Sequence, residues 1–299
     1  MTRHLLEIDD LSPDELTTVL DLAEERDPPQ VLRRRGVALV FEKPSLRTRN
    51  ATELAVVQLG GHPLTLRHEE VGLAEREPVA DVARVLSRYH AAIAARVFEH
   101  RKLEELAANA SVPVINLLSD AGHPCQALAD LLTIRQHFGS FQGVSLAYVG
   151  DYNNVSRSLA LAGGLAGLDV RLACPPGYGP TAADLDRLKL VGLDPLVTDR
   201  PEVAVAGADV VYTDVWTSMG QEEEAAVRRR AFEGFMVDTA LIARGSSRAV
   251  FLHCLPAHRG DEVAAEVVDG RQSLVWQQAE NRLHAARGLL LWLVAGTGG

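Results

Sequence analysis

The sequence predicts an α/β fold of two domains, each an open parallel sheet flanked by helices, with the C-terminal helix packing back on the first domain. Three observations predict it. At 299 residues the chain exceeds what one core commonly supports. Short apolar runs bounded by turn residues recur along it with helical stretches between them, and strands separated by helices imply parallel units with right-handed crossovers. A turn-rich segment, Gly139-Ser140-Phe141-Gln142-Gly143, interrupts the pattern, and a fresh apolar run starts at Val144.

The elements follow in order. Ser12-Pro13-Asp14-Glu15 is a capping box with Pro at the first helical position, opening a helix expected to run to about Arg26. The runs Val37–Phe41, Ala91–Ala95 and Val112–Asn116 read as the strands of the first domain, with a helix expected over Asn50–Leu59. A helix at Gln126–His137 leads to the junction. Val144–Val149, Val170–Cys174, Val210–Thr213 and Val250–His253 read as the strands of the second domain. A long helix from about Ala279 to Val294 is apolar on more than one face and is expected to return to the first domain; the tail Gly296-Thr297-Gly298-Gly299 is expected to fray. The expected division is residues 1–136 plus 277–299 against 137–276.

Composition narrows the function. A hydrophobic share of 47% and a charged share of 23% are those of an ordinary water-soluble protein. The formal charge of −10 argues against general nucleic-acid or anionic-membrane binding. Cys125, Cys174 and Cys254 are scattered with no Cys-x-x-Cys pair, so neither a disulfide framework nor a structural zinc site is indicated. The polar N-terminus lacks a signal-peptide core and no apolar run reaches the length of a membrane span, so a cytoplasmic protein is expected.

Five segments and one strand-end arginine carry chemistry. Ser45-Leu46-Arg47-Thr48-Arg49 lies between an apolar strand and a helix, where free N–H groups, hydroxyls and guanidinium forks together trap an anion. Arg96 ends an apolar strand, and a charge there calls for an anion or a carboxylate. His123-Pro124-Cys125-Gln126 enters a helix with groups able to polarise a carbonyl and hold an amide nitrogen. Gly150-Asp151-Tyr152-Asn153-Asn154 lacks the dinucleotide pattern G-x-G-x-x-G, and its adjacent amides suit a zwitterion instead. Asp214-Val215-Trp216-Thr217-Ser218-Met219-Gly220 offers a carboxylate and a hydroxyl for an ammonium group. His253-Cys254-Leu255-Pro256 ends a strand with a thiol. Each has a plainer reading when taken alone: an N-cap, a surface ion pair, a packed histidine, a polar turn, a small apolar cysteine.

In this order, over nearly the whole chain, these segments resemble the transcarbamoylase family, and its ornithine branch in particular. The family's phosphate signature Ser-x-Arg-Thr-Arg is matched by Ser45 to Arg49, and its His-Pro-x-Gln by His123 to Gln126. The ornithine branch's Asp…Ser-Met-Gly is matched by Asp214 and Ser218-Met219-Gly220, its His-Cys-Leu-Pro by His253 to Pro256, and its Glu-Asn-Arg by Glu280-Asn281-Arg282.

The resemblance implies transfer of a carbamoyl group from carbamoyl phosphate to the side-chain amine of L-ornithine, giving L-citrulline and phosphate. By matching positions it implies carbamoyl-phosphate contacts from Ser45, Leu46, Arg47, Thr48, Arg96, His123, Gln126, Leu255 and Arg282. It implies a catalytic set of Arg96, His123, Cys254 and Arg282, and amino-acid contacts from Asn154, Asp214, Ser218 and Met219. No metal and no organic cofactor is expected, and the resemblance implies a homotrimer or a higher assembly of trimers. A different amine, putrescine or an acylated ornithine, and a catalytically silent metabolite-binding paralogue are the alternatives. Two departures from the family pattern stand out. Leu46 replaces a smaller residue in the phosphate loop, and the acidic stretch Arg67–Pro78 offers no amide where the family places a Gln, near Gly72. Asn50-Ala51-Thr52 also departs from the aromatic-bearing pattern that follows the loop.

Overall fold

The structure, a computed structural model, describes residues 2–217 and 222–295. By its internal contacts the chain divides into two units, Met1–Leu132 with Glu280–Gly299, and Thr133–Ala279.

The first unit holds a four-stranded parallel sheet in the order β2-β1-β3-β4. Its strands are β1 (Gly36–Phe41), β2 (His62–Arg67), β3 (His90–Arg96) and β4 (Val114–Leu118). Around them lie α1 (Pro13–Glu24), α2 (Leu46–Gln58), α3 (His68–Val71), α4 (Val79–Tyr89), α5 (His100–Asn109) and α6 (Pro124–Phe138). The Ser12 hydroxyl accepts from the Glu15 N–H and so starts α1 as the capping box requires, although the helix ends at Glu24, short of Arg26. β1 and the interior of β3, Ala91–Ala95, are apolar because both faces are covered. Ala38, Val40, Ile93 and Ala95 meet Val82, Ala83 and Leu86 of α4 and Leu103 and Leu106 of α5 in one core. Each large apolar side chain so buried contributes about 1.5–3 kcal/mol. β2 escapes the sequence reading because it is an edge strand with Pro63 and only half-covered side chains.

The second unit holds a five-stranded parallel sheet in the order β7-β6-β5-β8-β9. Its strands are β5 (Ser145–Val149), β6 (Asp169–Ala173), β7 (Leu196–Thr198), β8 (Val210–Thr213) and β9 (Val250–His253). α7 (Asn154–Leu165), α8 (Ala182–Leu190), α9 (Pro201–Val205), α10 (Ala225–Ala231), α11 (Thr239–Ile242) and α12 (Ala265–Val268) complete it. β7 is three residues long with mostly exposed side chains, which is why no apolar run announces it.

The last helix, α13 (Val275–Ala295), starts earlier than the sequence predicts. Its later turns belong to the first unit, as expected. A Cβ on Gly288 would stand 2.6 Å from the Ala23 nitrogen and the Val19 carbonyl, so only glycine lets α13 lie this close to α1. Arg287 adds bonds to the Ala23 carbonyl (2.9 Å) and to Gln58 Oε1 (3.0 Å).

Both sheets reverse strand order once, at β1/β3 and at β5/β8. In open parallel sheets ligands bind beyond the carboxyl ends of the strands at such points. Ser45–Arg49 and Arg96 follow or end the first pair; Gly150–Asn154 and Asp214 follow the second.

Candidate functional site

In the first unit the anion motif lies inside a helix rather than before one. α2 starts at Leu46, not Asn50, with Ser45 at its N-cap and no capping bond from the Ser45 side chain. The first-turn N–H groups of α2 and the hydroxyls of Ser45 and Thr48 therefore share one end of the helix. Leu46 points outward and is 74% exposed, so its bulk meets no packed neighbour.

Thr48, Arg96, His123, Gln126 and Arg282 are all buried. Arg282, from α13, donates through Nη1 to Gln126 Oε1 and through Nη2 to Thr48 Oγ1 at 3.1 Å. Gln126 Nε2 donates onward to Asp130 Oδ1 at 2.8 Å, which fixes which end of the amide faces the arginine. Burial first, then Arg282, Arg96 and Arg47, hold the His123 imidazole well below its usual pKa. The ring is therefore neutral near pH 7 and serves as a hydrogen-bonding group, not a cation. Lys43, its ammonium 4.1 Å from the Phe98 ring centroid, is likewise lowered by burial and then by Arg96. Cations gathered in a desolvated place repel one another, and an anion seated among them relieves that repulsion.

Glu42, which no motif reading singled out, ties this end of the sheet together. Its N–H donates to the Arg96 carbonyl (2.9 Å), and its carboxylate accepts from the Phe98 N–H (2.8 Å) and Lys102 Nζ (2.6 Å). A lone Glu after a strand carries no sequence signal of that role. The stretch 67–78 forms the short α3 and a turn: the Glu70 carboxylate accepts from the Arg67 N–H, and His68 lies 3.4 Å from Glu75.

In the second unit, Asp214 is 4% exposed and accepts from two side chains. The Cys254 thiol donates to Oδ1 at 2.9 Å, and Asn153 Nδ2 donates to Oδ2 at 2.9 Å. The other end of the Asn153 amide caps α7, accepting from the N–H groups of Val155 (2.8 Å) and Ser156 (3.1 Å). Asn154, the amide named from the sequence, is the first residue of α7 and half-buried. Ser218 and Met219 lie outside the described residues, as does the 296–299 tail.

The thiol is held by its own strand end. His253 Nδ1 accepts from the Leu255 N–H at 2.9 Å, so Nε2 carries the hydrogen and donates to Glu262 Oε1 at 3.2 Å. Leu255 has a φ of 59°, a left-handed conformation that a leucine adopts only where its surroundings impose it, and a cis bond to Pro256 follows. Donor atoms of Asp214, His253 and Cys254 all lie within 4.8 Å of one another, a spacing that would suit a metal ion. Both ring nitrogens of His253 and both oxygens of Asp214 are engaged in the hydrogen bonds just given, which account for the cluster. Glu262 had no sequence signal, being one of two adjacent acids beyond the Cys254 motif.

The first unit thus carries a buried, arginine-rich cluster around a neutral histidine, and the second a carboxylate–thiol pair beside an amide. Two family models together cover most of the chain. Residues 3–136 match the carbamoyl-P binding domain of aspartate/ornithine carbamoyltransferase, and residues 142–293 match its Asp/Orn binding domain. The chain belongs to the aspartate/ornithine carbamoyltransferase family. The ornithine carbamoyltransferase of Acidothermus cellulolyticus is 53% identical, over 100% of this chain and 99% of that protein. Among solved structures of the family, the Thermus thermophilus ornithine carbamoyltransferase superposes with a TM-score of 0.90 at 48% identity, covering 98% of this chain and 99% of that one. The Pyrococcus furiosus enzyme gives 0.93 at 45% identity, covering 98% and 97%. No helix among the described residues is long and apolar enough to cross a membrane.

Proposed function

We propose that this chain transfers the carbamoyl group of carbamoyl phosphate to the side-chain amine of L-ornithine, giving L-citrulline and phosphate. The observation that carries the reading is the arrangement around His123. Arg47, Arg96 and Arg282 act on one buried neutral imidazole, and Arg282 grips both Thr48 and Gln126. This is a site for an anion bearing a carbonyl and an amide.

In this reading residues 1–136 with 277–299 hold carbamoyl phosphate, and residues 137–276 hold the amino acid. Ser45, Arg47, Thr48, Arg96 and the N–H groups of the loop through Leu46 bind the phosphate. Thr48, Arg96, His123 and Arg282 donate to the carbonyl oxygen, where negative charge grows as the amine attacks. Such preorganised donors commonly supply much of an enzyme's rate. Gln126 orients the carbamoyl nitrogen. Asp214 takes the α-ammonium, and Asn154, Ser218 and Met219 complete the grip on the amino-acid end.

The attacking amine must be neutral, yet a lysine-like amine has a pKa of about 10.4 in water. Cys254, with the Leu255 carbonyl, receives the amine's hydrogen-bonding face. The thiol already donates to Asp214 and so has a carboxylate through which a proton can pass. The nitrogen lone pair forms the N–C bond, the C–O bond to phosphate breaks, and phosphate departs with the electron pair. No step calls on a metal or an organic cofactor. The assembly in this reading is a homotrimer or a multiple of it in the cytoplasm, on the strength of family membership; sedimentation of the purified protein tests the assembly.

The direct test is a citrulline-formation assay with carbamoyl phosphate and ornithine, with putrescine, N-acetylornithine and aspartate in parallel. Preferential citrulline formation supports the reading. A faster reaction with another amine moves the acceptor, and binding of carbamoyl phosphate with no turnover refutes catalysis.

A further inference from the structure

Arg228 opens a run of three arginines on α10, and it alone of the three is buried, at 5% exposure, while Arg229 and Arg230 face outward. Its Nε donates to the Trp216 carbonyl at 2.6 Å, and its Nη2 donates to the Asp151 carboxylate. The guanidinium lies 4.9 Å from the Tyr178 ring centroid and 5.7 Å from that of Phe232, which close over it. A desolvated guanidinium is unfavourable unless its donors are paired, and here the pairing decides what it does.

The two acceptors belong to the two loops that meet at Asp214. Asp151 stands two residues before Asn153, and Trp216 two residues after Asp214. Between them runs the 2.9 Å bond from Asn153 Nδ2 to Asp214. Arg228 therefore spans the same gap as that bond, from behind. We infer that Arg228 is a positioning residue for the amino-acid subsite, its planar fork fixing the separation of the 151–154 and 214–216 loops and so the orientation of Asp214. The inference rests on the proposed ornithine reaction. Lysine, a single point charge on a flexible stem, cannot hold a carbonyl and a carboxylate at a fixed angle to each other.

The test is steady-state kinetics of Arg228→Lys, Asp151→Asn and the double variant, with each substrate varied in turn. Losing a charge-assisted hydrogen bond that orients a binding carboxylate is expected to raise the ornithine KM by at least about tenfold. The carbamoyl-phosphate KM should stay within about twofold, because Arg228 and its partners all lie in the second unit. Asp151→Asn, close to isosteric, should move the ornithine KM in the same direction by less. The double variant should be little worse than Arg228→Lys alone, since the two residues act as one clamp. An unchanged ornithine KM in Arg228→Lys overturns the inference, as do two KM values rising together. If Arg228→Lys does not fold, Asp151→Asn decides by the same KM split. Wild-type protein that makes no citrulline sinks the functional reading and the inference with it, whereas normal wild-type turnover with an unmoved ornithine KM sinks the inference alone.

Discussion

Replacing Asp214 by Asn changes the charge of the proposed amino-acid subsite with little change of shape. In the structure Oδ2 accepts from Asn153 and Oδ1 from the Cys254 thiol, both at 2.9 Å. The Asn153 amide cannot turn over, because its oxygen is committed to the N–H groups of Val155 and Ser156. The new amide must therefore present its oxygen to Asn153 and its NH2 to the sulfur, which can accept weakly. The network survives, and only the negative charge is lost. A hydrogen bond to a charged group contributes about 1.5–3 kcal/mol, and about 1.36 kcal/mol corresponds to a factor of ten. Asp214→Asn should thus raise the ornithine KM by roughly 10–150-fold, and lower kcat as well, since the thiol no longer has a carboxylate to pass a proton to. The assay is citrulline formation at saturating carbamoyl phosphate with ornithine titrated, then the reverse. An ornithine KM within about threefold of wild type would refute the assignment of Asp214 to the α-ammonium.

Three further outcomes follow from the geometry. Arg282→Met removes the donors to Thr48 and Gln126, and kcat/KM for carbamoyl phosphate should fall by roughly 10²–10³, the usual effect of losing one oxyanion donor; a fall below fivefold would show that Arg282 only packs. Cys254→Ser keeps a donor to Asp214 but swaps a thiol for a far less acidic hydroxyl, so the pH–rate profile should shift while the carbamoyl-phosphate KM holds; an unmoved profile would leave the thiol without a role in proton removal. His123 has its folded pKa held below 6.5 by burial and then by the arginines, so the stability tied to its neutral form is fully present above pH 6.5 and is lost as pH falls below it. Urea unfolding should show wild type losing more stability than His123→Gln between pH 7 and pH 5.5; equal losses would mean the ring protonates in the folded chain.

What could be read from the sequence follows from what kind of physics each feature uses. β1, β3, β5, β8 and β9 are buried on both faces, so each shows as a continuous apolar run. Edge strands β2 and β7 pack on too little to need such a run, and Pro63 disguised the first. α2 begins earlier than expected because Leu46 and Arg47 are good helix formers and Thr48 and Thr52 are buried, while Ser45 supplies no capping bond. The residues proposed to meet a substrate were visible because several motifs occur in one order. Those that hold them were not. Arg228 reads as one of three solvated arginines, and its partner Asp151 is 77 residues away. Glu42 reads as a polar strand end, although Lys102, 60 residues on, neutralises it in the interior. Burial of a charge is decided by partners distant in the chain, and no local pattern encodes them.

Asn153 gives one amide two employers. Its oxygen starts α7, the helix that packs behind the sheet, and its nitrogen steadies the carboxylate assigned to the amino acid. Aspartate at this position would cap the helix as well but would set two carboxylates against each other, while serine would cap it and reach nothing beyond. Any attempt to redirect this enzyme toward a different amine by varying the 150–154 turn therefore perturbs folding and selectivity at the same atom. Libraries that leave Asn153 fixed and vary its neighbours should retain far more folded members than libraries that do not.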